Sequence, residues 1–131
     1  MKIRIYVLTT WLLWSQAILA THAQEQRWLN VPDTPLKFSL LANKRSFALT
    51  NVSSKVVQRH TLGCVDRHSG RVTRKLRVDT ISLAPGVSSL GELYSYQGDL
   101  DACEALHSAL SVIAVTFADG RTWKYKPPSG S

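Results

Sequence analysis

The stretch "LSVIAVTFADGRTWKYK", residues 110–126, decides the fold class. From Leu110 to Phe117 apolar side chains fall on both parities, the mark of a strand buried on both faces. "ADGR" (118–121) carries the Asp-Gly pair of a tight hairpin, and "TWKYK" returns with Trp123 and Tyr125 on one parity. A central strand and its hairpin partner therefore close the chain.

Upstream the same grammar repeats. "LKFSLL" (36–41), "SFALTNV" (46–52), "VVQRHTLGCV" (56–65), "VTRKLRVDTISL" (72–83) and "VSSLGELYSY" (87–96) read as strands. Between them stand the turn-formers "ANKR", "SSK", "DRHSGR" and "APG". Within 72–83, Val72, Leu76 and Val78 share one parity and Ile81 and Leu83 the other, which predicts a bulge near Asp79–Thr80. "GDLDACEALHSA" (98–109) is the helical candidate: Leu100, Cys103, Leu106 and Leu110 recur near helical spacing, and Asp101 with Glu104 imitates a capping box. One or two helical turns are expected. Seven or eight short strands make this an all-β chain, and their spacing suits a β-sandwich.

The flanks read differently. Lys2 and Arg4, an uncharged and mostly apolar run from Ile5 to Ala20, and the small residues Thr21 and Ala23 predict a secretory signal peptide over 1–23, cleaved before Gln24. The run is short and broken for a bilayer span, so no stable membrane insertion is expected after cleavage. Residues 24–35, with two prolines, form an extended N-terminal arm; 36–126 the β-sandwich domain; and 127–131 a disordered tail. The expected location is outside the cytoplasm, periplasmic or secreted.

That location bears on the two cysteines. In an oxidising compartment a lone pair is more often a disulfide than a ligand set, so Cys64 and Cys103 are expected to be joined. "HTLGC" (60–64) and "CEALH" (103–107) mirror each other as metal spacings. On a strand, however, His60 and Cys64 stand about 13 Å apart, too far to share one zinc. A reduced site using Cys103 and His107 on a helical turn remains the alternative, and with it a metal-handling function. Free or independently buried thiols are the second reading of the pair, ahead of the metal site.

"FALTNVSSKVV" (47–57), "DRHSGRV" (66–72) and "LAPG" (83–86) give a strand ending in an Asn–x–Ser–x–Lys turn, a Gly hairpin and a Leu–x–Pro–Gly turn. In this the chain resembles small exported bacterial immunoglobulin-like domains of the FxLYD type. With "LGCV" and the late "VTFADGRTWK" it also resembles small exported bacterial proteins of unassigned function. The resemblance implies a single immunoglobulin-like β-sandwich, with one short helical turn before the late central strand, and no reaction. The Cys…Trp…Cys order of antibody domains is missing, since neither Trp28 nor Trp123 lies between the cysteines.

Catalytic signals are weak. No G-x-S-x-G elbow occurs, and Glu92, Asp99, Asp101 and Glu104 lack the rhythm of a calcium loop. A small hydrolase is the last-ranked reading; no enzyme activity, no cofactor and no metal are expected. "NVS" (51–53) fits a glycosylation acceptor, but turn chemistry suffices.

Charge layout is the informative feature. The chain carries +7; losing residues 1–23 removes two cations and no acid, leaving fourteen cations against nine carboxylates, or +5. Residues 55–77 hold Lys55, Arg59, Arg67, Arg71, Arg74, Lys75 and Arg77 against Asp66 alone. From Val78 to Gly120 there is no Lys or Arg and there are six acids. Alternation puts Arg71, Lys75 and Arg77 on one parity, an anion-binding patch with Arg59 expected across from the arginines of 71–77. The expected function is an exported, non-enzymatic binding or envelope-accessory module. Its partner would be an anionic envelope polymer or an acidic protein. Nucleic acid is disfavoured, because aromatics do not interleave with the cations. The competing reading is a solvated face paired with the acidic half.

Overall fold

The computed structural model describes residues 27–128; the predicted signal peptide, with the three residues after it, and the last three residues of the chain lie outside them. Seven strands form two antiparallel sheets: β1 (Leu36–Leu40), β2 (Ser46–Asn51) and β5 (Ser88–Glu92) in one, β4 (Val72–Leu83), β3 (Val57–Asp66), β6 (Ser108–Phe117) and β7 (Thr122–Lys124) in the other. The chain is an all-β sandwich. In the seven-strand constant-type immunoglobulin arrangement the fourth strand lies beside the fifth. Here β4 pairs with β3 instead, so the orders are β1-β2-β5 and β4-β3-β6-β7, and β5 ends its sheet.

The core lies between the sheets. Leu62, Val57, Leu110, Val112 and Val115 face Leu36, Phe38, Phe47 and Leu49. Trp28, from the predicted arm, enters this core: it stacks on Phe38 with ring centroids 4.2 Å apart and meets Phe47 and Tyr96 at 5.7 Å. The arm is held by backbone bonds from Leu29 N–H to Leu110 C=O and from Leu110 N–H to Arg27 C=O. It runs on one edge of β6 before crossing to β1.

Cys64 on β3 and Cys103 are joined, with Cα atoms 5.2 Å apart and both residues fully buried. The bridge ties the four-stranded sheet to helix α1 (Gln97–Ala105), not sheet to sheet.

Two local expectations are corrected. The strand expected over 87–96 stops at Glu92 and gives way to a 3-10 turn, Leu93–Tyr96. Residues three apart eclipse on such a turn, and this brings Leu93 and Tyr96 onto the core together. The capping box also fails: α1 begins at Gln97, three residues before the first apolar position of the pattern, with no side-chain cap. Asp101 and Glu104 instead accept Arg27, at 3.0 and 3.3 Å.

Asn51 explains the "NVS" motif. It is fully buried; its amide donates to Lys55 C=O and Leu83 C=O and accepts from Ser53 N–H and Oγ–H. A side chain so engaged is a turn organiser, and it offers no nitrogen for a glycan in the folded protein.

At the other end, Tyr125 N–H bonds Ile113 C=O beside β7, while its hydroxyl donates to Gly70 C=O at 2.7 Å. Gly70 sits at φ +74°, and a Cβ there would meet Pro128 at 2.8 Å. The segment after β7 thus lies against the β3–β4 turn, and Pro128 of the predicted tail belongs to it.

Candidate functional site: a cationic sheet face and a cleft between two edges

The register of β3 sorts the basic residues. Leu62 is core-facing and pairs with Arg77; Gly63 pairs with Lys75, so Leu76 is an extra residue. Neighbouring strand residues point to opposite faces. Lys75 therefore projects outward, while Arg77 lies on the inner side of the edge. A second extra residue, Thr73, separates Arg74 from Val72. The single-parity patch of Arg71, Lys75 and Arg77 is thus divided by a bulge. The bulge expected near Asp79–Thr80 lies one step further on, where Val57 and Arg59 pair with Leu83 and Thr80. Arg59 faces Thr80 rather than an arginine, so the expected repulsion does not arise.

Arg77 is taken up by the acidic half. Its Nε lies 3.3 Å from Asp79 Oδ2, its Nη2 3.1 Å from Asp99 Oδ2, and its guanidinium carbon 4.9 Å from the centre of the Tyr96 ring. Lys55 is paired likewise, 3.0 Å from Asp119. Asp119 is held below the usual carboxylate range, first by the Arg121 N–H and then by Lys55. Asp66 is held low by the N–H groups of Ser69 and His68, and so organises the turn next to Arg71.

The outward cations differ. Arg59 pairs with Thr116 and Thr80, Lys75 with Gly63, and Lys124 with Ala114, all on the outer face of the four-stranded sheet. All three are exposed, and none has an ion-pair partner among the described residues. The other outward strand residues on this face include Thr61, Val78, Thr116 and Thr122; no carboxylate is among them. Gly63 leaves room on this face for the Ile113 side chain, because a Cβ there would sit 2.6 Å from Ile113 Cδ1 and 2.9 Å from Arg74 C=O. Arg71 stands exposed at the turn end of the face. Across the sheet Lys75 and Lys124 are three strand spacings apart, about 14 Å, and they are further offset along the strands.

No protein-family model, curated protein or solved structure matches the chain.

The second feature is a cavity of about 440 Å³ between the edges β4 and β5, reached by His60, Arg77, Asp79, Ser89, Gly91 and Tyr96. His60 is 3% exposed, and neither ring nitrogen has a hydrogen-bond partner; Asp79 Oδ2 is 3.7 Å from Nε2. Burial lowers its pKa below the ordinary value, against the upward pull of Asp79, and Arg77 adds to the lowering. Burial likewise raises the Tyr96 hydroxyl, with Asp79 adding to the rise.

The metal alternative loses its sulfur. Cys103 is spent on Cys64, and His107 lies beyond the end of α1, at φ +54°, with its N–H bonded to Glu104 C=O. It closes the helix in the left-handed conformation usual for such a cap. Among the described residues no three His, Cys, Asp or Glu side chains come together as a metal site. The carboxylates Asp99, Asp101 and Glu104 are ion-paired to arginines.

Pattern reading passes over Lys124, and it weighs His60 only as a metal ligand. Hairpin pairing of "TWK" against 114–116 places Lys124 outward, a signal present in the Asp-Gly turn. Nothing local marks His60 as buried beneath an open edge.

Proposed function

We propose that this protein is a non-enzymatic binding module that meets an anionic partner through the outer face of its four-stranded sheet. The observation that carries this reading is the triad Arg59, Lys75 and Lys124, exposed and without ion-pair partners among the described residues, on a face without carboxylates. Arg71 extends that field at the turn. Fixed charges of one sign on one face raise the local concentration of oppositely charged polymers. The Cys64–Cys103 bridge supports an oxidising compartment, and hence an envelope polysaccharide, anionic head groups or an acidic envelope protein as the partner.

The test uses the mature protein on dextran-sulfate beads. Retention falls steeply between about 50 and 300 mM salt, because exposed charges are screened within about 10 Å at 0.1 M. Changing Arg59, Lys75 and Lys124 together to Gln removes retention with the thermal midpoint kept, whereas Arg77→Gln retains it. Unchanged retention by the triple variant would sink the reading.

A further inference from the structure

The sandwich has four sheet edges, and three are guarded. At β1, Asn30 imitates a neighbouring strand: Nδ2 donates to Phe38 C=O at 2.9 Å and Oδ1 accepts Phe38 N–H at 2.8 Å. Thr34 Oγ1 serves Leu36 in the same way. The β4 edge carries Arg74, Lys75 and Arg77, and β7 is only three residues long. Charged, covered or short edges are how sheets avoid unwanted pairing.

The remaining edge is guarded least, by the single carboxylate of Glu92 at its end. β5 reads Ser-Ser-Leu-Gly-Glu, with neither proline nor cation. The bonds Asn51 N–H to Val87 C=O and Leu93 N–H to Arg45 C=O fix its alternation. Ser89 and Gly91 therefore point their backbone groups at β2, and Ser88, Leu90 and Glu92 point theirs away. Leu90 is 69% exposed on the outer side. This edge is bare because β4 has moved to the other sheet.

Directly inside the bare edge lies the His60 cavity. Its imidazole is neutral at neutral pH, so one nitrogen is an acceptor and the other a donor, both unmet. Asp79 and Arg77 line the cavity as an ion pair, and Asp99 holds the other end of Arg77 at 3.1 Å, so the linked group of three carries one net negative charge. Phe47, Leu49 and Ile81 supply apolar wall for an aliphatic stem.

The geometry points to β5 as a strand-addition site: an extended segment of a partner protein pairs with Ser88–Glu92 and lowers a lysine or arginine side chain into the cavity, against Asp79 and His60. Main-chain bonds along the edge give affinity, and the inserted side chain gives specificity. Five residues of ladder run about 17 Å. A second copy of this chain fits poorly, because the inward residues of its own β5, Ser89 and Gly91, are too small to reach His60. This surface is separate from the cationic face and of opposite local charge.

The experiment is an NMR titration of the mature protein with acetylated seven-residue peptides of alternating Thr and Val with a central Lys. Saturable binding is expected, with shifts at the amides of Ser88, Leu90 and Glu92 and at the His60 ring. Replacing the central Lys with norleucine weakens binding at least about tenfold. N-methylating the ladder-facing peptide amides abolishes it. Leu90→Pro, which removes an outward N–H only, also abolishes it; should that variant not fold, the N-methylated peptide decides the same question on the parent protein. Equal binding by the N-methylated peptide, shifts confined elsewhere, or no saturation at millimolar peptide would overturn the proposal. So would a dimer of the protein alone that Leu90→Pro dissociates, which would assign the edge to a second copy.

Discussion

Leu62 stands opposite Arg77 on the β3–β4 ladder, and the residue after it, Gly63, stands opposite Lys75. One leftover residue, Leu76, thus sends two cations, two positions apart, to opposite faces of one strand. Their energetic roles divide accordingly. Arg77→Gln loses two ion pairs and the Tyr96 stack at a half-exposed site, for about 1 kcal/mol. Lys75→Gln stays within about 0.5 kcal/mol of the parent. Urea unfolding of both variants checks the contrast.

The all-β class, the late hairpin and most strand bounds are legible in the sequence because they rest on local periodicity and turn residues. Val72–Leu83 and Leu110–Phe117 are examples. Which face each cation takes is not legible, since an extra residue at Leu76 reverses parity and is placed by pairing with a distant strand. The helix start fails for a related reason: Asp101 and Glu104 resemble a cap locally, yet Arg27, far off in sequence, claims both. Trp28 reads as part of a proline-rich arm, and only the tertiary fit reveals it as core.

Opening the Cys64–Cys103 link costs stability through the unfolded chain, which regains the freedom of a loop spanning 39 positions. A Cys64→Ala/Cys103→Ala double variant is expected to lose about 2–4 kcal/mol, lowering Tm by roughly 15 °C. Thermal circular dichroism measures this. The parent's intact mass should rise by two hydrogens on reduction.

His60 should make stability fall in weak acid. Its folded pKa is lowered, chiefly by burial, so below the ordinary value of 6.5 the unfolded chain takes up a proton that the folded one resists. The contribution is complete above pH 6.5 and is lost as pH falls from there through the lower folded value. Asp79, Arg77 and Tyr96 face the ring and stay in place in a His60→Phe variant. That variant should show a flatter urea midpoint between about pH 7 and 5; an unchanged slope would assign the effect to another group.

Asn30→Ala removes both bonds to Phe38 and leaves the β1 backbone half-buried without a partner. A loss of about 1–2 kcal/mol is expected, with more light scattering on mild heating, since the freed edge becomes available for pairing. Asn30→Asp keeps the acceptor but not the donor and should fall between.

The seat of Trp28 sets an order of events for a chain delivered amino end first. The arm emerges at the outset, yet its backbone partner, Leu110, arrives about eighty residues later. β3 likewise waits for β6, and Cys64 for Cys103. The β3–β4 ladder lies in mid-chain, but the β3–β6 and β6–β7 ladders that complete the four-stranded sheet wait for the last quarter of the chain. Contacts so far apart in sequence form slowly. Until then the indole that ends as the plug of the core lacks its backbone partner.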